Sequence, residues 1–231
     1  MKLRFKTFGL CAVVLGVMAF TAGSAQAAPP AWMVNGSDIS ETLLPSLKAA
    51  LENNTASLLT TILGQAVKIL CTSLHITNKL GFAGKVDLGK VIFLGCKTFL
   101  EGSSTASTPC LPKTGGVDDV IESKNGEGSL ALVLENVPEV LIKPDVEGPL
   151  AVVESSAECA VGQKINITGE IILKDCEGSK LTAEQVTHLV EVDNFHSKLK
   201  ASGQAASIDG SANVSLSGVP HEGLSWSGLP V

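Results

Sequence analysis

Short apolar segments alternate with turn-forming residues along most of the chain, which is the signature of an all-β protein. The clearest segment is KINITGEIILK, residues 164–174. Ile165, Ile167, Gly169, Ile171 and Leu173 fall on one face of a strand, and Asn166, Thr168, Glu170, Ile172 and Lys174 on the other. Nearly strict period-2 alternation predicts a strand with one buried face. KVIFLGC (90–96), GSLALVLEN (128–136) and GPLAVVES (148–155) predict further strands. Asn125-Gly126, within KNGEG, carries a hairpin-turn signal, and IKPDVEGP (142–149) reads as a turn bounded by Pro and Gly.

Other stretches are less plain. Leu43–Asn54 holds helix-forming Leu, Lys, Ala and Glu, but Pro45 would have to sit in the first turn, so a strand is expected. Leu181–Val192 opens with Thr182 and Gln185 at capping-box spacing, and helix and strand both stay open there. Residues 57–76 are apolar enough to raise the question of a membrane span. Gly64-Gln65 in the middle and Lys68 predict instead two core strands meeting at a turn. From Ala201 onward Gly, Ser and Ala dominate, yet ANVSLSG still alternates, as expected of a loop with a weak edge strand.

The first residues read as an export signal. Lys2, Arg4 and Lys6 precede an apolar run from Phe8 to Phe20, and Ala25 and Ala27 occupy the small-residue positions, so cleavage is expected after Ala27. The run is shorter than the roughly 20 residues that span a bilayer, and no transmembrane span is expected once the signal is removed. Cys11, at the front of that run, leaves with it. Residues 28–231 show no fixed-period repeat and no clear boundary, and they are expected to form a single β-rich exported domain.

Loss of the three basic residues takes the formal charge from −6 to −9 and removes the chain's one arginine. An acidic chain without Arg lacks the electrostatic footprint for nucleic acid and the bidentate clamp for phosphate. Aromatic residues are 4% of the chain and Tyr is absent. The core must therefore come from Val, Leu, Ile and Ala, and little material remains for a carbohydrate-stacking surface.

Cys71, Cys96, Cys110, Cys159 and Cys176 follow the signal. In an exported chain they read as disulfides with one thiol left over. Cys96 and Cys110 flank a loop rich in Gly, Ser, Thr and Pro, and a bridge between them would stabilise by about 3 kcal/mol. Cys176, flanked by Asp175 and Glu177, lacks the positive surroundings of a reactive thiol. No C-x-x-C and no His pair at ligand spacing accompanies the cysteines, so neither a metal nor a cofactor is expected.

A secreted hydrolase is the enzymatic alternative, yet G-x-S-x-G, H-E-x-x-H and S-x-x-K signatures are missing. GLSWSG (223–228) has the wrong spacing for a serine elbow. The histidines are His75, His188, His196 and His221. Glu184 and His188 would be neighbours on a helix, with Glu191, Asp193 and His196 following. A solvated polar face explains them more simply, since catalysis needs a third group in fixed geometry. Asp118 and Asp119, adjacent in sequence, would point to opposite faces of a strand. The sequons at Asn35, Asn53, Asn166 and Asn213 are coincidences of a Ser/Thr-rich chain.

The order of AWMVNGSDIS, SLLTTILGQAVKILC, VIFLGC followed by a second Cys, LAVVESSAEC and LSWSG resembles a group of exported bacterial proteins of actinobacterial type. That group carries no known activity, ligand or catalytic residue. The resemblance implies Cys71 with Cys159 and Cys96 with Cys110, leaving Cys176 as the extra.

The whole therefore predicts an all-β, mostly antiparallel, single-domain β-sandwich or partly closed barrel, stapled by disulfides, with at most one or two short helices. It is expected to be secreted, periplasmic or in the cell envelope, as a non-catalytic structural or binding protein, and self-association or contact with a cell surface stays open. The alternative is a hydrolase with a dispersed His/carboxylate site. Trp32 and Trp226 lie near the two ends of the mature chain. Domain termini often lie close together, so the two rings are expected on neighbouring strands that close one end of the core, with Asn35-Gly36 as a turn.

Overall fold

The computed structural model describes residues 30–39, 44–133, 137–175, 181–190 and 199–229. The strands begin with β1 (Ala31–Val34), β2 (Ser37–Asp38), β3 (Ser46–Ile62), β4 (Gln65–Cys71), β5 (Ser73–Leu80), β6 (Lys85–Leu94) and β7 (Lys97–Leu100). A 3-10 turn at Thr108–Cys110 precedes β8 (Lys113–Thr114), β9 (Val117–Asp118), β10 (Val120–Glu122), β11 (Gly126–Val133) and β12 (Val137–Pro144). The chain continues through β13 (Ala151–Glu154), β14 (Lys164–Thr168), β15 (Ile171–Asp175) and β16 (Glu184–Val190). It ends with β17 (Lys200–Ala201), β18 (Gln204–Ser217) and β19 (Trp226–Leu229). The strand pairings are antiparallel and no α-helix occurs among the described residues. The all-β, antiparallel, disulfide-bonded class read from the alternation is the observed one.

Pairing runs β3–β5–β6–β11–β12–β15–β16–β18, and β18 pairs back onto β3. The sheet thus curls into a barrel-like wall of eight strands, a number whose interior just holds packed side chains or one small ligand. Along β5 apolar residues alternate with polar ones, whereas β12 and β15 also carry apolar Leu141 and Ile172 on the face opposite the interior row. On β5, Ile76, Asn78 and Leu80 are buried while Ser73, His75, Thr77 and Lys79 are exposed. The far halves of β3 and β18 extend beyond this wall. They carry β4 and β7 on one side and β17, β14, β13, β8 and β9 on the other.

Local rules explain many of the turns. Asn35 and Gly36 both adopt positive φ between β1 and β2, and Leu63 and Gly64 do so between β3 and β4. Residues 46–54 are strand within β3, and Glu184–Val190 of the 181–192 stretch is strand β16, with residues 191–192 outside the described residues. Thr182 forms no capping box. It bridges Trp226, and Gln185 turns into the core.

Several expectations are overturned. The stretch from Ala201 onward, expected as a loop with a weak edge strand, holds the 14-residue strand β18, paired on both sides with β16 and β3. KINITGEIILK is two strands, because Gly169 takes a φ of +103°, a conformation that side chains with a Cβ avoid. β14 then pairs with β13 and β17, whereas β15 joins β12 and β16 in the wall. Asn125-Gly126 makes no hairpin. β10 and β11 both pair along the long strand β6, one after the other.

That long strand needs a bulge. Register between β5 and β6 shifts between Ile76 and Asn78, where β6 carries one extra residue: Ile76 faces Val91 and Asn78 faces Leu88. A bulge reverses which parity points inward, so Val86 and, beyond it, Val91 and Phe93 all line the interior. Gly89 permits it, since a Cβ there would lie 2.2 Å from the Thr77 carbonyl oxygen. Gly89→Ala is expected to destabilise by about 3 kcal/mol, the upper range of overpacking. Urea denaturation checks this, and a change below about 0.5 kcal/mol would show that the bulge yields freely.

The disulfides join Cys71 to Cys96 and Cys110 to Cys159. This corrects both expected pairings, Cys96 with Cys110 and Cys71 with Cys159, while using the same four cysteines. The reason is register. β4 pairs with β7 so that Leu70 faces Lys97, which sets Cys71 directly beside Cys96. Cys110 is carried to Cys159 because Ser156 donates both its amide and its hydroxyl to the Pro109 carbonyl. Residues 1–27 and Cys176 lie outside the described residues.

Candidate ligand cavity

The interior of the wall is not filled. Two clusters of buried side chains, one around Ile69, Val153, Ile165 and Ile208 and one around Leu47, Leu80, Val214 and Leu216, border a half-enclosed cavity of about 180 Å³. An apolar cavity of about 150 Å³ stays dry and accepts a benzene-sized guest, so this space is on the scale of a small ligand.

The terminal strands form a ribbon at one end of the cavity. β1 pairs with β19, setting Trp32 against Gly228 and Val34 against Trp226. Both tryptophans are 5% exposed, and their ring centroids are 5.9 Å apart at a tilt of 52°. The Trp32 indole Nε1 donates to the Lys85 carbonyl at 2.7 Å, fixing the ribbon to the start of β6. Trp226 exchanges backbone hydrogen bonds with Thr182, and Gln185 Nε2 donates to the Trp226 carbonyl at 2.5 Å. Both rings line the cavity.

Polar side chains in this lining are few. Asn78 sits inward on β5 between Ile76 and Leu80, at 6% exposure. Register places it opposite Leu88 and Leu47, and Leu47 opposite Leu216, so it belongs to one level of the wall. Gln185, opposite Val214 on the next strand, lies close to that level. Asn78 is the one polar member of an inward apolar row in SLHITNKL, and Gln185 is hidden in the sequence because its segment fits helix and strand alike.

Candidates for hydrolysis are dispersed. Glu184 and His188 stand four positions apart on a strand, about 13 Å along it, so the helical neighbour relation does not form. Asp193 and His196 lie outside the described residues. Asp118 pairs with Lys113 at 2.8 Å, and Asp119 uses its carbonyl to accept from the Cys96 amide. The hydroxyl of Ser225, in the GLSWSG stretch, lies 3.1 Å from Asn35 Oδ1. His75 is exposed on the outer face of β5. Among the described residues no histidine and no carboxylate lines the cavity, and no group of three metal-ligating side chains occurs.

Ion pairs belong to the outside of the wall. The Lys143 ammonium, 2.9 Å from Glu127, holds that carboxyl below its ordinary pKa, and Glu127 holds the lysine above its own. This attraction is present above the ordinary carboxylate pKa and fades as pH falls through the lowered one. At such exposed positions water and salt screen it, and it does not reach the cavity.

Comparison with protein-family models, curated proteins and solved structures finds no match to this chain. The fold and the cavity define a disulfide-bonded antiparallel β-protein with an apolar interior site. The two buried disulfides fit an oxidising, extracytoplasmic setting, and no described helix is long and apolar enough to cross a membrane.

Proposed function

We propose that the chain is an exported, non-catalytic binding protein of the cell envelope or exterior, directed there by residues 1–27, that holds a small apolar ligand within its curled sheet. The observation that carries this reading is the lining of the cavity: mostly aliphatic and aromatic side chains, with Ser57, Asn78, Ser123, Gln185 and the exposed Lys124, and no histidine or carboxylate among the described residues. Hydrolysis needs a nucleophile or an acid–base pair within reach of substrate, whereas an apolar guest needs only a dry, preformed space. The exposed outer row of β5, Ser73, His75, Thr77 and Lys79, favours a water-surrounded wall there, the reverse of the apolar-out pattern of lipid-facing barrels.

Toluene tests it. At ten times its Kd a bound guest stabilises by about 1.4 kcal/mol, and the expected result is a rise in Tm of about 3–6 °C for a chain of this size. Ala49 lines the cavity from β3, so Ala49→Phe is expected to fill the space and abolish that rise. Absence of any saturable shift in the wild-type protein would sink the binding reading.

A further inference from the structure

We propose that the cavity selects an apolar ligand bearing one uncharged hydroxyl group, recognised at the Trp end by the indole N–H of Trp226 and the side-chain amide of Asn78. The inference rests on the binding reading above and names the class of ligand for the same cavity.

Two polar atoms carry it. Trp226 Nε1 is buried with no acceptor, and Asn78 Oδ1 is buried with no donor. Both residues line the cavity. Buried donors and acceptors without partners are uncommon in folded proteins, and each calls for a reason. The neighbouring ring shows that the fold can satisfy an indole here, since Trp32 Nε1 is bonded to the Lys85 carbonyl. Asn78 is equally conspicuous. It stands between Ile76 and Leu80 in an inward row, where an aliphatic side chain would leave no amide unmet.

The two atoms have opposite demands. The indole offers a proton and the amide oxygen asks for one. A hydroxyl accepts one hydrogen bond and donates another, so a single group answers both. Turning the Asn78 amide toward it uses a soft terminal torsion. A carboxylate only accepts. Its charge would meet no cation in the interior, since the cationic side chain among the lining residues, Lys124, is exposed. A pure hydrocarbon meets neither demand. The two polar groups share one end of the cavity, because Ile76 and Leu80, which flank Asn78, belong to the same buried cluster as Trp226. The apolar tail then points toward Ile69, Val153 and Ile208.

Isothermal titration of the full mature chain with 1-hexanol, hexane and hexanoate tests the proposal. A hydroxyl moved from water into a site without partners is penalised, so an indifferent apolar cavity binds hexane more tightly than hexanol. The expected result is hexanol at least as tight as hexane, and at least tenfold tighter than hexanoate. Asn78→Leu and Trp226→Phe are each expected to lower the hexanol-to-hexane affinity ratio at least fivefold. Hexane tighter than hexanol, hexanoate tightest of the three, or a ratio unchanged in both variants would overturn the hydroxyl preference while leaving an apolar binding site. Failure of toluene and of all three hexyl compounds to bind would overturn the binding reading itself, and this proposal with it.

Discussion

Replacing Trp32 by alanine is expected to lower stability by about 3–5 kcal/mol, and replacing Trp226 by a similar amount. Each ring is 5% exposed, and large aromatic side chains dominate the energetics of the cores they fill. The pair also touch one another at 5.9 Å between centroids, an arrangement worth about 0.5–1.5 kcal/mol beyond area burial. Trp32 is expected to cost more than Trp226, because it also loses the hydrogen bond to the Lys85 carbonyl, worth about 1 kcal/mol net. The double variant should fall short of the sum of the singles, as expected for residues in contact. Urea denaturation monitored by circular dichroism reads these differences as shifts in midpoint at constant m. A loss below about 1 kcal/mol for both single variants would mean that the terminal ribbon merely lies on the wall.

Removal of the disulfides is the second large effect. The Cys110–Cys159 bridge spans a sequence separation of 49 and Cys71–Cys96 one of 25. In the chain-entropy account such loops stabilise by about 4 and about 3.5 kcal/mol. Losing both approaches the whole stability of a typical domain. Cys110→Ala with Cys159→Ala is therefore expected to destabilise slightly more than Cys71→Ala with Cys96→Ala, and the protein without either bridge to be largely unfolded at 37 °C. Denaturant melts of the paired variants check the magnitudes. Peptide mapping without reductant checks the connectivity, and a fragment joining Cys96 to Cys110 would contradict it.

The mistaken pairing shows where reading along the chain stops. A flexible loop between Cys96 and Cys110 made them natural partners by proximity in sequence. Across β4 and β7, however, register sets Cys71 beside Cys96, and register between strands is a property of the sheet. The same limit hid the break at Gly169. An alternation that continues through a glycine reads as one strand, although β14 and β15 belong to different parts of the sheet. Gly89 is the converse. Its bulge reverses the inward parity of β6, so no single period-2 pattern describes that strand.

The candidate site was only partly legible. Trp32 and Trp226 stood out as the two tryptophans of a chain poor in aromatics. Asn78 could have been noticed as a polar residue at an apolar position. Nothing local reveals that residues from β3, β5, β6, β16 and β19 border one space. A cavity is volume left between elements, and it exists only after they are assembled.

The sequence by itself determined the all-β class, several strand positions and the turns at Asn35-Gly36 and Gly64, because alternation and positive-φ preference act over a few residues. The four bonded cysteines, Cys71, Cys96, Cys110 and Cys159, are those that the resemblance implied. Only the tertiary structure decided how they pair, that β18 returns to β3 to curl the wall, and that Trp226 and Asn78 are left facing an apolar interior with hydrogen bonds unmade. Those outcomes depend on register and on closure between strands as far apart as Ser46 and Ser217, and such long-range contacts are encoded in no single segment.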